Sequence, residues 1–153
     1  MPRILSYRDL IVWQKAVDLA DLTYRITDKF PRSELFGLTA QMRKASVSVP
    51  SNIAEGFEQG TDPMFVKYLF YSKGSLAEVI ARLRRAHIKR YITDAELAER
   101  VAAAEQLSRS LGAYIRYLDM CGWQDRGRHQ SRLRAEARNE TQRPPTKGPR
   151  TRD

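Results

Sequence analysis

Apolar residues recur along the first 120 positions at alternating steps of three and four, the spacing of one face of an α-helix. The rhythm is interrupted three times. The first segment runs from about Asp9 to Lys29 with Leu10, Trp13, Val17, Ala20 and Tyr24 on its stripe, and Phe30-Pro31 closes it because the residue before proline avoids helical geometry. The second opens with Ser33 as a cap and carries Leu38, Met42, Ala45, Val49, Ile53 and Phe57 to about Gln59. Gly60-Thr61 breaks the chain, and Asp62-Pro63 restarts it with a capping side chain and proline in the first turn. The third segment reaches about Arg90 on Phe65, Leu69, Leu76, Val79 and Leu83. Thr93 and Glu96 have the spacing of a capping box and open the fourth, whose stripe of Leu97, Val101, Ala104, Leu111, Ile115 and Leu118 holds to Met120. No strand-like alternation of useful length occurs. The pattern predicts an all-α fold, an antiparallel up-down four-helix bundle with short connections.

The second segment contains Pro50 yet keeps its apolar rhythm, so a helix kinked at the proline is expected. Proline in a helix interior removes a donor and crowds the carbonyl four residues back, at about 3 kcal/mol. Around it, Ser48, Ser51, Asn52 and Glu55 place hydrogen-bonding groups on a helix. Two uses are open. They could line a ligand site at the carbonyl the proline leaves unbonded. Alternatively, small residues (Ala45, Ser46, Ser48, Ser51, Ala54) let a helix approach closely, with Gly74-Ser75 and Ala77 as the matching surface. In that second reading, which is preferred, Pro50, Ser51, Asn52, Glu55 and Gly56 form a structural motif, with Asn52 and Glu55 cross-linking helices.

Two stretches carry more apolar surface than one core requires. Leu10-Ile11-Val12-Trp13 is apolar all round its helix, and Met64 to Tyr71 nearly encircles the next. A surface helix normally keeps one polar face, so Leu10, Trp13, Val66, Phe70 and Tyr71 are expected at an interface between copies of the chain. The plainer account is that Tyr68 and Tyr71 lie half-exposed with wet hydroxyls.

Composition adds a tail and a charge. The chain of 153 residues carries a formal net charge of +9. Residues 121–153 hold nine Lys/Arg against four acids, and their only large apolar side chains are Trp123 and Leu133. Such a segment cannot bury enough surface to offset its ordering entropy. The expected division is a bundle over 1–120 and a disordered basic tail over 121–153, with weak helical tendency near 131–140. The lone Cys121, the N-terminus without a long apolar run, and the lack of any stretch near the ~20 apolar residues of a membrane span predict a cytoplasmic chain with no membrane partner.

Excess positive charge favours polyanions through counterion release. Arg82, Arg84, Arg85, Lys89 and Arg90 crowd the end of the third segment, and Arg43 and Lys44 lie on the second. Cations at a helix C-terminus also serve its dipole, at about 0.3–1 kcal/mol each. Neither an aromatic platform for RNA bases nor a helix-turn-helix pattern is visible. For catalysis the chain offers little. His87 and His129 lack the Glu-x-x-His context of a bundle metal centre, Glu55 and Glu78 are better placed to hydrogen-bond hydroxyls, and Cys121 has no histidine near it in sequence. No phosphate loop, zinc spacing or nucleophile elbow occurs. A non-enzymatic protein without metal or cofactor is expected.

Four blocks carry a resemblance: Arg8 to Ala16, Phe36 to Ala45, Ser48 to Gly56 and Gly74 to Glu78. Together, over about residues 7–120, they resemble the bacterial 23S rRNA intervening-sequence family. The resemblance implies an up-down four-helix bundle assembled as a ring-like homopentamer, related to the accessory variability proteins of diversity-generating retroelements, which are basic partners of a reverse transcriptase and its RNA. It brings no catalytic residues, and the arginine-rich tail departs from the shorter family form. The expected function is a homo-oligomeric bundle that binds RNA or a ribonucleoprotein through its basic surface and tail. The alternative is a scaffold that docks a partner enzyme such as a reverse transcriptase, with charge serving solubility.

Overall fold

Four helices account for most of the described chain: α1 (Ile11–Thr27), α2 (Leu38–Glu58), α3 (Asp62–Ile88) and α4 (Asp94–Met120). They are seen in a computed structural model that describes residues 4–121 and Arg138. No strand occurs among the described residues. Successive helices pack side by side and α4 returns to α1, as an up-down bundle requires. The α2–α3 interface is the most extensive and the α1–α4 seam the thinnest. The basic tail and the helical tendency near 131–140 fall, apart from Cys121 and Arg138, outside the described residues. Among the described residues, no helix is long and apolar enough to cross a membrane.

Three stripes read from sequence form the core. On α2 the buried apolar positions are Leu38, Met42, Ala45, Val49, Ile53 and Phe57; on α3, Phe65, Leu69, Leu76, Val79 and Leu83; on α4, Val101, Ala104, Leu111, Ile115 and Leu118. Helix α1 differs. Its buried face is Ala16, Leu19, Ala20, Thr23, Ile26 and Thr27, while Tyr24 is exposed and Val17 half-buried. Thr23 donates its hydroxyl to the Leu19 carbonyl at 2.9 Å and Thr27 to the Thr23 carbonyl at 2.8 Å. Each hydroxyl is thereby satisfied within its own helix, so both threonines are buried without an unpaired polar group.

Two helix starts also differ from expectation. A 3-10 turn over Tyr7–Asp9 precedes α1, closed by a capping box between Ser6 and Asp9, and Leu10 leaves it in extended geometry. A second 3-10 turn over Arg32–Glu34 precedes α2. Ser33 does not cap that helix. Instead Glu34 reaches forward and accepts the Leu38 N–H at 2.9 Å, satisfying one of the four orphan donors at a helix start. Thr93 caps α4 as expected, accepting from the Glu96 N–H at 3.1 Å.

Helix α2 runs without interruption through Pro50, which is buried. The polar run around it works on backbone carbonyls. Ser51 donates to the Val47 carbonyl at 2.9 Å, and the Asn52 amide donates to the Ser48 carbonyl at 2.9 Å and the Ser48 hydroxyl at 3.1 Å. The cross-helix bonds are made by serines: Ser48 and Ser75 hydroxyls meet at 2.8 Å, and buried Ser72 donates to the Val49 carbonyl at 2.8 Å. Asn52 therefore bonds within α2, supporting the serine pair from behind, and Glu55 points to solvent. One turn on, Gly56 brings α2 onto α3. A Cβ there would lie 2.4 Å from Tyr68 Cβ and 3.1 Å from Phe65 Cδ2.

Candidate nucleic-acid interface

Both helix connections at one end of the bundle are tied to each other through Glu34. Its Oε1 accepts from Lys89 Nζ at 2.7 Å and from the Tyr91 hydroxyl at 3.2 Å, while Oε2 caps α2. Tyr91 in turn packs against Phe30, ring centroids 5.2 Å apart. The α1–α2 and α3–α4 connections thus share one carboxylate. The Lys89 ammonium and the Leu38 N–H hold the Glu34 carboxyl below its ordinary 4.5, against some desolvation, and Glu34 raises Lys89 above 10.5.

The linkage follows from these directions. A carboxyl lowered in the folded state adds stability above its unfolded value and loses it as pH falls through the folded value. A raised lysine adds stability that is complete below 10.5 and is lost as pH rises through its folded value. Glu34→Gln keeps an acceptor for Leu38 but removes the charge. Its melting temperature is expected to lie below wild type at neutral pH, with the gap closing under acid, below the ordinary 4.5 of Glu34. Thermal melts across pH check this, and a gap independent of pH would contradict it.

Helix α3 ends beside this knot in a Schellman motif. The Arg90 N–H bonds the His87 carbonyl and the Tyr91 N–H bonds the Ala86 carbonyl, each at 2.9 Å. Arg90 occupies the left-handed position with φ 61°, where glycine is the usual residue. Left-handed geometry costs a residue with a Cβ roughly 1–2 kcal/mol.

The seven basic residues singled out from sequence fall into two groups. Arg43 is engaged: it donates to Thr27 Oγ1 at 2.9 Å, pairs with Asp28 at 2.8 Å and stacks over Tyr24 at 4.6 Å. Lys89 is held by Glu34, and Arg82 lies 3.5 Å from Glu78. Lys44, Arg84, Arg85 and Arg90 are exposed and, among the described residues, none of them makes an ion pair. Meanwhile Asp28, Glu34 and Asp94 are each held by a base, Asp94 by His87. With Asp28 and Glu34 paired to Arg43 and Lys89, the four exposed cations, joined by exposed Lys29 and Arg32 of the α1–α2 connection, outnumber Asp94 and Glu96 at the start of α4.

A feature that sequence reasoning missed lies on the same end. Leu35 and Phe36, in the turn before α2, line a shallow depression with Tyr24, Thr39, Ala40, Arg43, Lys44 and Val47. Phe36 is 93% exposed. Turn residues carry no helical periodicity, so no stripe points to them.

Of the residues expected between copies, Leu10 and Val66 are only 4% and 8% exposed. Their side chains fill the protomer's own core, which removes them from that role. Trp13 is half-buried, packs on the core and meets Tyr7 edge-on at 5.2 Å. Phe70 and Tyr71 are exposed, with Tyr71 against Tyr68 at 5.6 Å and under Lys67 at 5.9 Å.

The family model for the 23S rRNA-intervening sequence protein matches residues 8–113. The chain belongs to that family. The match spans the bundle from the turn before α1 to within two turns of the end of α4. A crystal structure of a Bacteroides thetaiotaomicron protein of unknown function, from the S23 ribosomal protein family, superposes with a TM-score of 0.64 at 17% identity, covering 69% of this chain and 98% of that one. At that identity the likeness establishes the shared bundle fold. No curated protein matches. For this 23S rRNA-intervening sequence family member, the matched region contains all seven basic positions and the Ser48–Gly56 run.

Proposed function

We propose that the protein is a non-enzymatic, homo-oligomeric helical bundle that binds RNA through its basic end. The observation that carries this reading is the grouping of Lys44, Arg84, Arg85 and Arg90, exposed and without ion pairs among the described residues, at an end where Asp28 and Glu34 are already paired with Arg43 and Lys89. The net charge of +9 and the family's link by name to 23S rRNA favour an RNA partner over other polyanions. Arginine suits phosphate because its planar fork donates two parallel hydrogen bonds. Phosphate contacts made this way give affinity without base selection.

Assembly would serve the same reading. Phe70 and Tyr71 leave an aromatic face on α3, and a closed ring of copies, five in the arrangement the family resemblance implies, would multiply basic ends around one axis. Titration of the purified protein with structured RNA at two salt concentrations tests the binding, and sedimentation velocity tests the assembly. Saturable binding that weakens steeply with salt, by a particle several times the chain mass, is the expected result. Binding indifferent to salt would overturn the RNA reading.

A second reading rests on the depression around Phe36. A nearly fully exposed phenylalanine beside Leu35 and Val47 fits a protein partner better than a phosphate chain. In that case the bundle is a scaffold that docks an enzyme, such as a reverse transcriptase, and a partner that copurifies after nuclease digestion supports it.

A further inference from the structure

The thin α1–α4 seam holds a partly open cavity of about 220 Å³, on the side of the bundle opposite the α2–α3 interface. Its walls are mostly apolar, with Leu22 from α1, Leu83 from α3 and Leu107 from α4. Lys15, Asp18, Thr23, Gln106 and Arg100 are the polar residues of the lining, and Thr23 returns its hydroxyl to its own helix. Arg100 lines the cavity, and its Nε is buried with no hydrogen-bond partner. The carboxylate beside its guanidinium is that of Glu99, at 3.9 Å and itself well exposed. Leaving a buried donor unsatisfied costs about 1–3 kcal/mol, and more for a charged group. Lys15 and Asp18, both exposed, offset each other in formal charge, which leaves Arg100 as the excess charge of the lining.

We propose that this cavity is a binding site for a small carboxylate with an apolar body, whose carboxylate accepts from Arg100 while its hydrocarbon fills the leucine-lined space. The chemistry selects that class on two counts. An apolar wall of this size favours a hydrocarbon, since an apolar cavity of about 150 Å³ already takes up benzene. The larger volume leaves room for a body of about six to eight carbons. The orphaned guanidinium donor then selects an anionic head over a neutral one, because charge-assisted hydrogen bonds are about twice as strong as neutral ones. The site adjoins the basic end, with Leu83 between Arg82 and Arg84, but none of the four exposed cations of that end lines it.

Octanoate and its neutral counterpart octanamide serve as probes, titrated calorimetrically into the full-length chain and into Arg100→Met. The substitution keeps much of the length and apolar bulk while removing the donor. Wild type is expected to bind octanoate, with affinity falling at least about tenfold in Arg100→Met. Octanamide binding is expected to be alike in the two proteins, a selectivity that a merely structural arginine would not produce. In wild type alone, nuclear Overhauser contacts from the octanoate chain to Leu22, Leu83 and Leu107 methyls are expected, which keeps the test decisive if the variant folds poorly. Absence of octanoate binding to wild type, equal octanoate affinity in both proteins, or contacts to other residues would overturn the proposal. So would a seam closed by self-association, seen as octanoate heats that vanish as protein concentration rises.

Discussion

Gly56→Ala is expected to destabilise the bundle by about 3 kcal/mol, a large effect for a single methyl group. The reason is geometric. The added Cβ would sit 2.4 Å from the Cβ of Tyr68, an atom fixed to the α3 backbone rather than at the end of a flexible side chain. Relief requires α2 and α3 to separate, and their separation would pull on the Ser72–Val49 and Ser48–Ser75 bonds about two turns away. Phe65, 3.1 Å from the same position, packs edge-on against Phe57 and Tyr114, so its ring has little room to turn aside. Gly74 is the matched control. It lies inside α3, and a methyl group added there would meet nothing within 4 Å, so Gly74→Ala is expected to stabilise by about 0.5–1 kcal/mol through helix propensity. Thermal melts of the two variants should move in opposite directions, by roughly 10 °C downward for Gly56→Ala and a few degrees upward for Gly74→Ala. Equal shifts would show that the close approach at Gly56 is not what holds the two helices in register.

That contrast also shows what is legible from sequence. Helices α2, α3 and α4 can be read because their buried positions are apolar residues at helical spacing, and small serines announce a close approach between α2 and α3, whereas Gly74 and Ala77, read as part of that surface, are exposed and Gly74 faces open space. Helix α1 is harder to read, since Thr23 and Thr27 are polar by composition yet buried, each hydroxyl returned to its own helix. A stripe drawn on hydropathy therefore rotates toward Tyr24, whose ring lies outside under Arg43. Side-chain direction poses a similar difficulty at the polar run. Asn52 has the reach to cross between helices, but the crossing is made by serines, because at this separation hydroxyls already meet and a longer amide has to fold back along its own helix.

The basic end divides along the same line. Local sequence shows seven cations but not their partners, and the partners of Arg43 and Lys89 lie 15 and 55 residues away. Which charges remain exposed is a property of how the connections meet, with Glu34 joining both. The Phe36 depression arises likewise from a turn that acquires its neighbours only when α1 and α2 are packed. Sequence periodicity thus predicts the rods well and the ends poorly, and the candidate interface is at an end.

The combined variant Arg84→Ala/Arg85→Ala/Arg90→Gly should separate binding from folding at that end. Arg90→Gly relieves the left-handed strain at φ 61° while keeping both Schellman hydrogen bonds, so it is expected to stabilise by up to about 1 kcal/mol. Arg84 and Arg85 are exposed, and substitutions at such positions usually change stability by no more than about 0.5 kcal/mol. The variant should therefore melt at or above the wild-type temperature. Its RNA binding is expected to fall, and the slope of log affinity against log salt to flatten by about 2–3, close to one unit for each phosphate that an arginine no longer neutralises. Arg43→Ala offers the converse. It breaks the links to Thr27, Asp28 and Tyr24, so stability should drop while the salt slope changes little. Binding in the triple variant that matches wild type at every salt concentration would leave the exposed arginines without a polyanion role. The arginine at position 90 would then need another explanation, because its left-handed geometry carries a cost that glycine would avoid with the same helix ending.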